Sequence, residues 1–199
     1  MLKRKILASI VVIALMASAL GIGTYAVFSD TETSVGNSFT AGTLDLKING
    51  VDTNVVAFTV SNMRPGNQPK NSFVLSNVGS LNGILDISTV VLSDAENGRI
   101  EPEIEAGDTT DDAGAGELSA VVNLRLFVDT NKDGWISAGE NVFFNGKVNT
   151  LPASFDLNQP IAADGSVNIV ALFDWWNTPT DNQAQSDSFT LDLTYQLTQ

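Results

Sequence analysis

The chain has 199 residues, with 23 acidic against 10 basic side chains, and it contains neither cysteine nor histidine. Acidity on this scale repels nucleic acid and anionic lipid surfaces. The missing residue types remove disulfide staples, thiol nucleophiles, Ser-His-Asp triads and the usual zinc ligand sets, so the sequence predicts a protein that is not an enzyme.

The first element is a leader. Lys3, Arg4 and Lys5 precede an uncharged apolar run over 6–20, and Gly21 and Gly23 then lead into Thr24-x-Ala26. A cationic start, an apolar centre and small residues at the final positions are the layout of a secretory signal. The cut is expected after Ala26, which makes 1–26 the signal peptide and the mature protein secreted. The alternative is an uncleaved anchor, since 6–28 just reaches the roughly 20 residues of a bilayer helix; the two glycines and the short apolar core argue against it. Cleavage takes away three basic residues and no acid, leaving 23 acids against 7 bases and a formal charge of −16 on about 173 residues. That length suffices for one domain with a sizeable core, and the charge favours divalent cations.

In the next segment, 27–39, Val27, Phe28, Val35 and Phe39 are apolar anchors in an otherwise polar stretch without proline. Such a segment can pair fully with an open sheet edge. It can equally be a first strand or a frayed tail of its own domain.

From residue 40 to 199 the chain alternates apolar and polar residues in short runs broken by Gly, Asn, Asp and Pro, which is a strand pattern. Leu44, Leu46 and Ile48 share one face of the first run, and Phe189, Leu191, Leu193 and Tyr195 share one face of the last. Between them, strands are expected at 55–60, 72–77, 84–92, 118–128, 141–145, 154–157 and 167–173. Turn chemistry marks the boundaries at Arg64-Pro65-Gly66-Asn67, Asn82-Gly83, Asn97-Gly98, Asn145-Gly146 and Asp164-Gly165. About nine strands without an amphipathic helix predict an all-β fold of two packed sheets, a jelly-roll-like β-sandwich. The segment 94–117 breaks the rhythm with nine acids and one base; it reads as a solvated connection, or as a low-affinity cation patch. Asp45, Asp86 and Asp192, each between apolar neighbours, read as solvent faces of strands.

Residues 129–140 carry the most specific chemistry. Asp129, Asn131 and Asp133 supply side-chain oxygens at positions 1, 3 and 5 of a twelve-residue calcium loop, and Gly134 allows the sharp turn at position 6. Trp135 offers its carbonyl at 7, Ser137 stands at 9 and Glu140 is the bidentate acid at 12. The flanks look like strands instead of helices, so the expected role is a structural Ca2+ clip and no signal relay. The alternative is a polar hairpin loop that needs no ion. Further on, Trp175 and Trp176 point to opposite faces of a strand; one is expected in the core and the other at a subunit contact, with sugar stacking as the rival.

The junction Gly21-Ile22-Gly23-Thr24-Tyr25-Ala26-Val27-Phe28-Ser29-Asp30 and the block Phe39-Thr40-Ala41-Gly42-Thr43-Leu44-Asp45-Leu46 resemble the TasA and camelysin family of secreted biofilm-fibre proteins, with its similar archaeal bundling pilins. A weaker echo runs through Met63-Arg64-Pro65-Gly66 and from Val74 to Gly83. The resemblance covers the N-terminal third, and the rest only as a strand pattern. It implies a jelly-roll subunit, processing by a dedicated signal peptidase, and fibres on the outer surface in which 27–39 lies as a donor strand in the next subunit. Val27, Phe28, Val35 and Phe39 would then be subunit contacts, the partners would be further copies of the chain, and a membrane would be met only by the precursor. The family's other label, metalloprotease, has no His-Glu-x-x-His motif behind it here. Two rivals stay open: a monomeric calcium-stabilised surface-binding module, and a pilin that keeps its apolar segment as a helix.

Overall fold

Alternation of apolar and polar residues becomes two antiparallel sheets in the computed structural model, which describes residues 10–11, 41–176 and 181–199. The chain separates into two compact units, Met1–Thr40 and Ala41–Gln199, and the fold below is that of the second. The expected cut after Ala26 and the segment 27–39, with Val27, Phe28, Val35 and Phe39, lie outside the described residues.

Nine strands are described: β1 (Leu46–Ile48), β2 (Val55–Val60), β3 (Lys70–Asn77), β4 (Gly83–Ala95), β5 (Val122–Val128), β6 (Val142–Lys147), β7 (Phe155–Ile161), β8 (Ser166–Trp175) and β9 (Ser188–Thr198). One sheet has the order β1-β3-β8-β5-β6 and the other β2-β9-β4-β7. The pairs β2 with β9, β3 with β8, β4 with β7 and β5 with β6 are nested antiparallel ladders. This is a long two-stranded ribbon rolled into a sandwich, the jelly-roll wrap, with β1 added outside β3.

The inward faces are those the period of two picks out. Val56, Phe58 and Val60 of β2 and Phe189, Leu191, Leu193 and Tyr195 of β9 are all buried. Aromatic rings knit the sheets together: Phe58 meets Phe173 edge-on at 5.5 Å and Phe73 meets Tyr195 at 5.8 Å between centroids. Such pairs add to the area they bury.

Three expectations need correction. The strand expected from residue 118 begins as a helical turn, α2 (Leu118–Val121), and turns extended only at Val122. Asn145 and Gly146 form no turn but sit inside β6, opposite Arg125 and Leu124. The acidic segment is no plain solvated connection: it holds the short helix α1 (Glu101–Glu105), and Glu103 is fully buried. Its carboxylate accepts bonds from the Ile100 amide at 2.7 Å and the Ser186 amide at 2.9 Å.

Candidate functional site

Two of the quoted sequence blocks meet in space. The Leu81 amide donates to the Thr43 carbonyl at 3.0 Å, and the Val78 amide to the Asp45 carbonyl at 2.8 Å. Buried Asn77 locks the corner: its Nδ2 donates to the Leu81 carbonyl at 2.7 Å and its Oδ1 accepts from the Gly79 amide at 3.0 Å. A Cβ on Gly42 would overlap the Leu81 side chain, and one on Gly79 the Thr43 carbonyl oxygen. The two segments thus interlock where the chain enters β1.

The calcium-type loop connects β5 to β6 at the tip of the rolled ribbon. Gly134 takes φ +75°, the conformation the sharp turn requires. Asp129 is buried, and its carboxylate accepts from the Gly134 amide at 2.8 Å and the Asp133 amide at 3.2 Å. Asp133 accepts from the Trp135 amide at 2.7 Å, and Glu140 from the Thr130 and Ser137 amides, each at 2.8 Å. Asn131 donates to Asp133 and to the Ser137 hydroxyl. The structure gathers the named residues into one turn whose acids are met by its own amides. The Lys70 ammonium lies 3.6 Å from the centre of the Trp135 ring, which ties the tip to β3.

A second acidic site was not foreseen. Glu96 follows β4, Asp187 precedes β9, and Glu117 leads into α2; one carboxylate oxygen from each lies within 4.8 Å of the others. Among the described residues it is the one trio of acidic side chains that converges in this way, and Asp129, Asp133 and Glu140 do not. The Glu117 amide donates to Asp187 Oδ2 at 2.5 Å. The Thr110 hydroxyl lies 2.8 Å from Glu117 Oε1 and 2.7 Å from Asp108 Oδ1, and its single proton serves only one of them. Both oxygens of Glu96, Glu117 Oε2, Asp187 Oδ1 and Asp108 Oδ2 are buried without a hydrogen-bond partner among the described residues. Burial pushes Asp187 up to about 8, helped by the Glu96 charge and opposed by the Glu117 amide. Burial likewise raises Glu96, opposed by its close contact with Asp187 and reinforced by the charges of Glu103, Asp108 and Glu117. Buried oxygens that resist ionisation are the counterpart of a missing positive charge.

Trp175 is in the core, and Trp176 is 63 % exposed, beside a cleft lined by Pro65, Gly66 and Gln68. Below it, buried Asp174 takes an ion pair from Arg125 and a hydrogen bond from Gln68 Nε2. Asp86 is no mere solvent face either: it accepts from the Leu157 amide at 3.0 Å and the Thr198 hydroxyl at 3.2 Å.

Comparison with known families gives a match along residues 1–199 to the family described as camelysin metallo-endopeptidase. No curated protein matches the chain. The family's description overturns the expectation of a protein that is not an enzyme. That expectation rested on the missing histidine and cysteine, whereas the chain assembles a carboxylate set. The description implies a metal ion, and the unpartnered buried oxygens of Glu96, Glu117 and Asp187 fit one.

Proposed function

The chain belongs to the camelysin family, and from that premise we propose that it is a structural subunit of an extracellular fibre. The cut after Ala26 frees 27–39, which then completes a sheet of the next subunit. The observation that supports this is an open flank of the sandwich. Among the described residues β2 pairs with β9 alone, and β1 covers β3 only from Leu75 to Asn77. Among the described residues, 70–73 therefore have no strand on that side. Between these two edges runs a cavity of about 240 Å³ whose lining includes Phe58, Val60, Met63, Lys70 and Phe173. Unpaired edges around apolar side chains are what an added strand requires. On this reading the calcium-type loop, with Asp129, Asn131, Asp133, Trp135, Ser137 and Glu140, is a Ca2+ clip that stiffens the ribbon tip.

Deleting 27–39 from the exported chain should leave a folded monomer that no longer forms filaments under the electron microscope. Filaments growing at the normal rate from the deleted chain would sink the donor-strand reading.

A second reading takes the family's description at its word, as an endopeptidase. The carboxylate trio favours it, because a metal held there would polarise a bound water or carbonyl. Glu117, the most exposed of the three, is the side from which a peptide would approach. Cleavage of unfolded casein that stops with chelator and with Glu96→Gln supports this reading; cleavage that is absent, or indifferent to both, removes it.

A further inference from the structure

Ala95 and Ser188 are the last registered pair of the β4–β9 ladder at this end, so Glu96 and Asp187 occupy the next facing position. Two carboxylates directly opposite one another repel, and these two are only 9 % and 2 % exposed. Glu117 joins them through a close approach that glycine permits: a Cβ on Gly116 would stand 2.7 Å from the Ala95 carbonyl oxygen. Four of the trio's oxygens are buried and unpartnered, Glu96 Oε1 and Oε2, Glu117 Oε2 and Asp187 Oδ1. Among the described residues no base pairs with the trio. Arg99, the one basic residue of 94–117, is engaged by the Asp111 carboxylate and the Asp108 carbonyl.

We infer that Glu96, Glu117 and Asp187 form a binding site for a divalent cation of the calcium class, which clasps the acidic segment to the start of β9. The donor set selects the ion. All its atoms are oxygens, and the chain offers no imidazole or thiolate, which disfavours zinc. Calcium takes about six to eight oxygens in adaptable geometry. The four unpartnered atoms supply half or more of these, and water the rest. Magnesium, smaller and reluctant to shed its water, suits a largely buried trio of carboxylates less well. The competing occupant is a proton shared by Glu96 and Asp187. The inference does not depend on the fibre reading: that one fails on filament images, this one on calcium uptake.

The test is calcium titration of the full chain after EDTA treatment, in a background carrying Asp129→Asn and Glu140→Gln to silence the ribbon tip. The expected result is uptake of one calcium per chain, seen by calorimetry. Free calcium at a hundred times its Kd should raise Tm by roughly 5 to 10 °C. Adding Glu96→Gln and Asp187→Asn should abolish both effects. In EDTA the same pair should melt no lower than its background, because the amides end the repulsion; this shows that the variant folds. If the background itself does not fold, the pair is made in the unmodified chain, where one calcium equivalent should disappear. Uptake undiminished by the pair overturns the inference. So does a chain that takes up no calcium and melts according to pH alone, which is the behaviour of a shared proton.

Discussion

Tyr195 is completely buried, and its hydroxyl has no hydrogen-bond partner among the described residues. Burial also pushes that hydroxyl's ionisation well above its usual range. An unmatched buried polar group costs more than it contributes, so Tyr195→Phe should raise unfolding stability in urea by about 1 kcal/mol; a loss of that size would reveal a concealed partner. Gly79 makes the opposite case. Its missing Cβ leaves room for the Thr43 carbonyl, so Gly79→Ala should cost about 1 to 3 kcal/mol. Gly114→Ala, with nothing within 4 Å, should stay within about 0.5 kcal/mol of the parent. The buried face around Tyr195 was legible because period two states it outright. The work of Asp86 was not. An acid between apolar neighbours reads the same whether it faces water or, as here, sits where the β4–β7 register shifts and takes the Leu157 amide.

At the level of elements, spacing carried the ribbon tip. Asp129, Gly134 and Glu140 stand where the twelve-residue pattern puts them, and Gly134 adopts the backbone the pattern demands. Asp129 is buried and holds two amides. Asp129→Ala should therefore lower stability by about 1 to 3 kcal/mol even in chelator, as read from chemical denaturation. If calcium binds the tip as well, the loss should be larger in its presence. The helical turn α2 escaped notice because Leu118, Val121 and Val122, all buried, are spaced at i, i+3 and i+4. Over a run this short, that spacing fits a helical turn as well as a strand entry. Asn145-Gly146 misled for the converse reason: a favoured turn pair is overruled when both neighbours must pair across a sheet.

Across the whole molecule, the number of strands and the sandwich were legible, but which strands pair was not. Glu96 and Asp187 stand 91 positions apart and meet only because β4 and β9 share a register. The acid density of 94–117 pointed to cations, yet half of the decisive buried pair came from elsewhere. Charge sets a further expectation. Under the fibre reading, subunits cut after Ala26 would each carry a formal −16 and repel at long range. Raising ionic strength from about 0.01 to 0.15 M cuts the screening length from about 30 to 8 Å. Under the fibre reading, filament growth followed by light scattering should accelerate; a slower rate would mean that attraction between charges drives docking. The interlock of Gly42 with Leu81 and of Gly79 with Thr43 bears on mechanics as well. Within the sandwich, a pull applied at residue 41 meets the bonds at Thr43 and Asp45 ahead of the three-residue strand β1. Under the fibre reading the buried corner at Asn77 would be the first anchor to bear such a load.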